Sequence, residues 1–240
     1  MKEEKARTIF RKNYTPPNYR VTEIGLEFKL YENETIVQSK LKIESLEKDL
    51  VKPNPLVLDG EQLELLEIKL DGITLQSQQY QIEMSSLTIP SVPESFDLEI
   101  KVRIHPEKNT SLEGLYRSGT MFCTQCEAEG FRRITYFPDR PDVMARYKTR
   151  IEADSERYPV LLSNGNLLRT ENLENGRHAA VWEDPFPKPS YLFAMVAGNL
   201  ECLKDHFTTQ SGREVLIKIY VEPGKSGTNP SCDAKPQRIY

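Results

Sequence analysis

The sequence runs to 240 residues, of which 38% are hydrophobic and 28% charged, with a net charge of −4. That is room for one large domain, or one domain and a fragment of a second. A chain with a pI of about 5.6 has no concentrated basic face to neutralise phosphates, which argues against nucleic acid as a partner.

The first dozen residues mix Lys, Arg and Glu without an apolar stretch, so no conventional secretory signal is expected. The longest apolar run, Tyr191 to Ala197, is too short to cross a bilayer. A cytoplasmic location is the default expectation, with no membrane span.

Alternation with a period of two then dominates the chain, and it points to strands. Ile24, Leu26, Phe28 and Leu30 alternate with polar or small residues, as do Leu66, Ile68 and Leu70. Asp71-Gly72 follows at once and leads into Ile73-Thr74-Leu75, the pattern of a hairpin with a primed turn. Phe96, Leu98, Ile100, Val102 and Ile104 give the clearest half-buried strand. Asn164-Gly165 marks a tight turn after Pro159 to Leu162. Asn175-Gly176 marks another, leading into His178, Ala180 and Trp182 on one face. No window before residue 200 carries a helical apolar stripe over three turns, and 16 prolines are scattered along the chain. The expected fold is all-β, a layered domain of many hairpins.

Asp184-Pro-Phe-Pro-Lys-Pro189 reads as a rigid connector, which sets a domain boundary near Asn199. Leu200 to Phe207 and Arg213 to Val221 read as two strands around a Thr208 to Gly212 turn. Residues 225–240 lose all periodicity and are expected to be a divergent, disordered tail.

Few residues carry chemistry on their own. Cys123-Thr-Gln-Cys126 invites a metal or redox reading. A structural zinc site needs four ligands, however, and no second pair completes one. A redox pair would have to open a helix after a strand, whereas Glu127, Glu129 and Gly130 follow with no helical period; two reduced thiols are expected. The histidines are His105, His178 and His206, and no two lie four apart, so the chain has no zinc-binding helix. His178 reads as a packed or surface histidine and Trp182 as a core or interface anchor. Asp139-Arg-Pro-Asp142 reads as a turn, with Asp accepting backbone N–H bonds and Pro fixing φ, not as a carboxylate pair.

Taken together, a set of segments in fixed order resembles the bacterial aminopeptidase N family of zinc exopeptidases. They are Leu112-Glu-Gly-Leu-Tyr116, Cys123-Thr-Gln-Cys-Glu-Ala-Glu-Gly-Phe-Arg132, Ile134-Thr-Tyr136 and Asp139-Arg-Pro-Asp142. Leu161-Leu-Ser-Asn-Gly-Asn166, Trp182 to Pro189, Leu192-Phe-Ala194, Phe207-Thr-Thr209 and Ser211-Gly-Arg213 continue them. The resemblance spans roughly Asn13 to Gly224.

It implies a saddle-shaped amino-terminal β domain over residues 1–199, followed by the opening strands of a thermolysin-like catalytic domain over 200–224. It further implies that Glu127 helps bind the free α-ammonium of a peptide substrate, and that Gln125 lines the first side-chain pocket. Glu129 is expected to be structural, paired with Arg132 or Arg133. Zinc would belong to the complete enzyme and to its missing catalytic domain, so the chain alone is expected to be inactive, with no catalytic or metal residue of its own. The alternatives are a free-standing β module that binds a peptide or a protein partner, and a metal or redox protein built on Cys123 and Cys126.

Overall fold

The computed structural model describes residues 10–46 and 55–224. Among them no α-helix occurs, and strands are joined by turns and five short 3-10 segments. In chain order the strands are β1 (Tyr19–Leu30), β2 (Thr35–Ser45), β3 (Leu56–Asp59), β4 (Glu64–Leu70), β5 (Ile73–Thr74) and β6 (Gln81–Ile82). Next come β7 (Ser86–Ile89), β8 (Ser95–Ile104), β9 (Gly114–Ser118), β10 (Met121–Gln125), β11 (Met144–Asp154) and β12 (Val160–Ser163). The last are β13 (Asn166–Asn172), β14 (Arg177–Pro189), β15 (Met195–Gly198), β16 (Glu201–Thr208) and β17 (Glu214–Val221).

An eight-stranded sheet in the order β13-β14-β11-β1-β2-β8-β4-β5 forms the base. β1 is antiparallel to β2 and parallel to β11, so its long alternating sequence is paired on both sides. Period-two patterning puts Ile24, Leu26, Phe28 and Leu30 on the inner face, beside Val37, Leu41 and Ile43 of β2 and Phe96, Leu98, Ile100, Val102 and Ile104 of β8, and all are buried. The outer face carries cross-strand ion pairs, among them Lys42–Glu23 at 3.1 Å, Lys40–Glu99 at 3.1 Å and Arg150–Glu27 at 2.9 Å. Each exposed pair is worth little singly; together they fix register and keep that face wet.

Two smaller sheets, β12-β15-β10-β9 and β3-β7-β6, share one continuous apolar core with the base. At its centre Phe131 meets Phe137, Phe193 and Tyr147 edge-on, with ring centroids 5.2, 5.4 and 6.1 Å apart. Phe193 in turn stacks on Phe28 of the base sheet at 6.0 Å. The layered all-β architecture is the one expected.

Two local expectations need correction. Leu66 does not belong to the inner face: the ladder shifts between Leu65 and Glu67, a bulge that inserts one residue and resets the alternation. Leu65 therefore packs against the core while Leu66 is exposed. The segment 184–189 is not a connector but the end of β14, paired with Met144 and Ala145 of β11. β14 has by then run past its last partner in β13 (Glu183 opposite Asn166). Its prolines thus fall where no ladder on that side needs their missing N–H. Asn164-Gly165 turns the chain as expected, with φ +83° at the glycine, and the turn carries it from one sheet to another.

Asp71-Gly72 and Asn175-Gly176 do form the primed turns, all four residues having positive φ. β16 and β17 form as expected and pair with each other from Glu201 opposite Val221 to Thr208 opposite Glu214. No residue of that hairpin is buried, and among the described residues it joins no other sheet. Residues 225–240, expected to be a disordered tail, lie outside the described residues.

Candidate functional site

The candidate site is the turn that leaves β10. β10 is an interior strand, bonded to β9 on one side and to β15 on the other. Phe122 is buried against Tyr158 at 5.1 Å. The Thr124 hydroxyl both accepts from the Met195 N–H at 2.8 Å and donates to its carbonyl at 3.3 Å. The strand ends at Gln125, opposite Gly114. Cys126 is buried, Glu127 to Glu129 are exposed, and Gly130 is buried again. The Gly130 N–H closes the turn onto the Cys126 carbonyl at 2.8 Å.

Glycine is required where the turn returns. A Cβ on Gly130 would lie 2.4 Å from the Gln125 carbonyl oxygen and 2.8 Å from the Gly114 nitrogen, both backbone atoms. Gly114 has φ +72°, and a Cβ there would lie 3.0 Å from the Gly130 carbonyl oxygen. The two ends of the turn thus touch backbone to backbone.

Glu127 and Gln125 are brought together here: Gln125 Nε2 donates to the Glu127 backbone carbonyl at 3.2 Å. The Glu127 carboxylate has no hydrogen-bond or ion-pair partner among the described residues. Its charged neighbours in sequence are all engaged. Glu129 pairs with Arg132 at 3.4 Å, one of the two partners expected for it. Arg133 pairs with Glu61 and Glu113 at 3.0 and 3.2 Å.

Arg132 leads inward. Its backbone N–H and its Nε both donate to Asp139 Oδ2, at 3.1 and 3.2 Å, and Nη2 donates to the Asp139 carbonyl at 3.2 Å. The Asp139 carboxylate is 1% exposed. Its other oxygen accepts from the Ser190 hydroxyl, and its N–H donates to Asp59 Oδ2 at 2.9 Å. Burial pushes the Asp59 carboxyl up from its ordinary value. Burial also opposes the Arg132 charge, but Asp59, Asp139 and Glu129 outweigh it and keep the guanidinium protonated. The sequence marks Asp139 only as a turn former, and its anchoring role is visible only when strands far apart in sequence meet. The turn itself is present, with the Val143 N–H on the Arg140 carbonyl at 3.2 Å. Asp139 and Asp142 face different partners and make no catalytic pair.

The two cysteines of the turn are free. Burial pushes the Cys126 thiol well above its usual range, with Asp139 adding to it. Burial, and then Glu222, also raise Cys123. Neither thiol is set up for thiolate chemistry, and Cys126 follows a strand rather than opening a helix. His178 is packed, its Nε2 2.8 Å from the Tyr158 carbonyl, and Trp182 Nε1 donates to the Leu161 carbonyl at 3.1 Å. Among the described residues no three His, Cys, Asp or Glu side chains converge to hold a metal, so the residues present do not fit a zinc ion. No helix among them is long and apolar enough to cross a membrane.

Comparisons with known proteins match the sequence and the fold of the chain as a whole. The Peptidase M1 N-terminal domain family matches residues 15–192. The chain is 50% identical over 214 residues to an aminopeptidase N from Caulobacter vibrioides, covering 89% of this chain and 24% of that protein. It superposes on an aminopeptidase A from Legionella pneumophila, solved in complex with aspartic acid, with a TM-score of 0.85 and 38% identity, over 90% of this chain and 25% of that one. An M1 zinc metallopeptidase from Deinococcus radiodurans, bound to a Tyr-Ser-Ala substrate, shares the fold alone. There the TM-score is 0.70 at 15% identity, covering 84% of this chain and 47% of that one. The chain thus spans about a quarter of the length of the curated relative it matches.

Proposed function

The chain belongs to the peptidase M1 N-terminal domain family, and on that premise we propose that it supplies the amino-terminal part of a zinc aminopeptidase acting in peptide turnover. Its own task is to recognise the free α-amine of a peptide substrate through Glu127, with Gln125 beside it in the first side-chain pocket. The observation that carries this reading is the Glu127 carboxylate: it projects from a rigid turn, exposed and unpaired, while Glu129, Arg132, Arg133 and Asp139 are bound to one another or to the framework. A carboxylate left free on a rigid support is suited to a charge-assisted hydrogen bond with an ammonium group. Once a catalytic domain covers the turn, a blocked amino end would leave that carboxylate buried and unpaired, so such substrates are rejected.

Zinc, when bound in the complete enzyme, would polarise the scissile carbonyl and activate a water. Its ligands belong to the catalytic domain, and this chain is inactive alone. We assign residues 1–199 to the β domain and 200–224 to the opening strands of the catalytic domain. The hairpin β16–β17 pairs with no sheet of the β domain among the described residues, and the family match ends at residue 192. Three free cysteines among the described residues suit a reducing, cytoplasmic setting.

The test is a chimera in which residues 13–224 replace the matching part of the Caulobacter vibrioides aminopeptidase N. Glu127→Ala is expected to lower kcat/KM on an alanyl anilide about ten- to a hundredfold, the loss of about 1.5–3 kcal/mol from one charge-assisted hydrogen bond. Zinc content should stay unchanged. Full efficiency in the variant would remove the assignment. A second reading, a free-standing module for a peptide or protein partner, draws on the exposed Phe207, Leu216 and Ile219 of the hairpin. Calorimetric binding of a free-amine tripeptide by the isolated chain would favour it.

A further inference from the structure

We propose that Arg132 is the positioning residue of the amine-recognising turn, holding residues 126–130 against buried Asp139 so that Glu127 stays presented and unpaired; the functional half of this rests on the reading of Glu127 above.

The Arg132 side chain bonds both to the exposed limb of the turn and to the buried framework. Outward it pairs with Glu129, whose side chain is 68% exposed, two residues beyond Glu127. Inward it reaches Asp139 by two side-chain bonds, and its own N–H supplies a third. Asp139 is itself fixed from two further directions, by Ser190 and by Asp59. Asp59 ends β3, and Ser190 follows β14, so the anchor joins three layers of the fold. The Arg132 carbonyl is held too, by the Glu61 N–H at 3.0 Å. At the other limb the Gly114–Gly130 contact leaves no slack.

The same ion pairs settle the local charge. A free guanidinium near Glu127 would compete with a substrate ammonium for the carboxylate. Asp139 and Glu129 occupy Arg132, and Glu61 and Glu113 occupy Arg133. A planar fork reaching two acceptors inward and one outward is geometry that Lys cannot reproduce, although Lys keeps the charge. Arg132→Lys is therefore the informative substitution.

Two measurements separate this proposal from the reading on which it rests. In the full 240-residue chain, Arg132→Lys is expected to speed hydrogen exchange at the Gly130 and Arg132 amides about tenfold, with the β1 amides unchanged. Unaltered exchange at the turn would overturn the anchoring, whatever Glu127 does. In the chimera, Arg132→Lys should raise KM on the alanyl anilide about tenfold while kcat stays within about twofold. If Arg132 acts through Glu127, adding Arg132→Lys to Glu127→Ala should raise KM no further. Effects that simply multiply would show a merely structural arginine and overturn the positioning role. A silent Glu127→Ala would instead sink the amine-recognition reading, with the exchange result still standing. Should Arg132→Lys unfold the chimera, Glu129→Ala removes only the exposed limb of the tether and is expected to raise KM about two- to threefold. An unchanged KM there would count against the proposal.

Discussion

The turn after Phe137 sends one aspartate inward and another outward, and the two respond to acid in different ways. Asp142 faces solvent and accepts from Arg140 at 2.9 and 2.7 Å and from the Tyr14 hydroxyl at 3.0 Å. Arg140 also donates to the Thr15 carbonyl at 2.8 Å, so the pair clamps the segment before β1. The Arg140 hydrogen bond holds the Asp142 carboxyl below its ordinary value of 3.8. A depressed folded-state value contributes stability above the unfolded one, which is lost as pH falls through the folded one. Asp142→Asn should therefore cost a few tenths to about 1 kcal/mol at neutral pH, as exposed pairs do. The gap in Tm to wild type should narrow as the pH falls below about 4. A gap that does not narrow at all as the pH falls below about 4 would contradict the clamp. Asp59 runs the other way, since burial raises it and acid favours its folded form. That contribution is common to both proteins and cancels in the comparison.

Strand patterning decides which elements are secure. β1, β2 and β8 each bury an alternating row against the smaller sheets, and loss of one such side chain, as in Ile100→Ala, would cost several kcal/mol. The β16–β17 hairpin alternates equally well in sequence, yet nothing covers either of its faces enough to bury a residue. A hairpin without a packed face is marginal, and it opens at a lower free energy than the core. Trypsin under native conditions is accordingly expected to cut at Lys204, Arg213 or Lys218 before it cuts at Lys40, Lys42 or Lys101 in the base sheet. Equal resistance of the two sets would argue that the hairpin is part of the β domain, and would move the boundary beyond residue 221.

Over the whole molecule, one apolar core fuses three sheets, while Gln125 and Glu127, for which we propose substrate recognition, are exposed at its rim. Among the described residues there is no converging set of metal donors. The isolated 240-residue chain is expected to hydrolyse no alanyl anilide and to hold no stoichiometric zinc after dialysis. Turnover abolished by a chelator, with one zinc per chain by metal analysis, would overturn this.

The alternation of apolar and polar residues, the Asp-Gly and Asn-Gly turns and the prolines were enough to specify an all-β layered chain. Each of these is a local signal written in neighbouring residues. The order of segments from Leu112 to Arg213 was enough to point to the family and, through it, to Glu127 and Gln125. The bulge at Leu66 was not legible, because a one-residue insertion is visible only against the strand it faces, here Lys101 and Val102 of β8. Nor was the strand through Pro185 and Pro187, since proline is excluded from a ladder only where a partner needs its N–H, and partners are set by topology. The Asp59–Asp139–Arg132 anchor joins residues up to 80 positions apart. Its strength comes from burial that no sequence window contains, so only the tertiary structure could show that an ordinary Asp-Arg-Pro-Asp turn also anchors Arg132, beside the turn that follows β10.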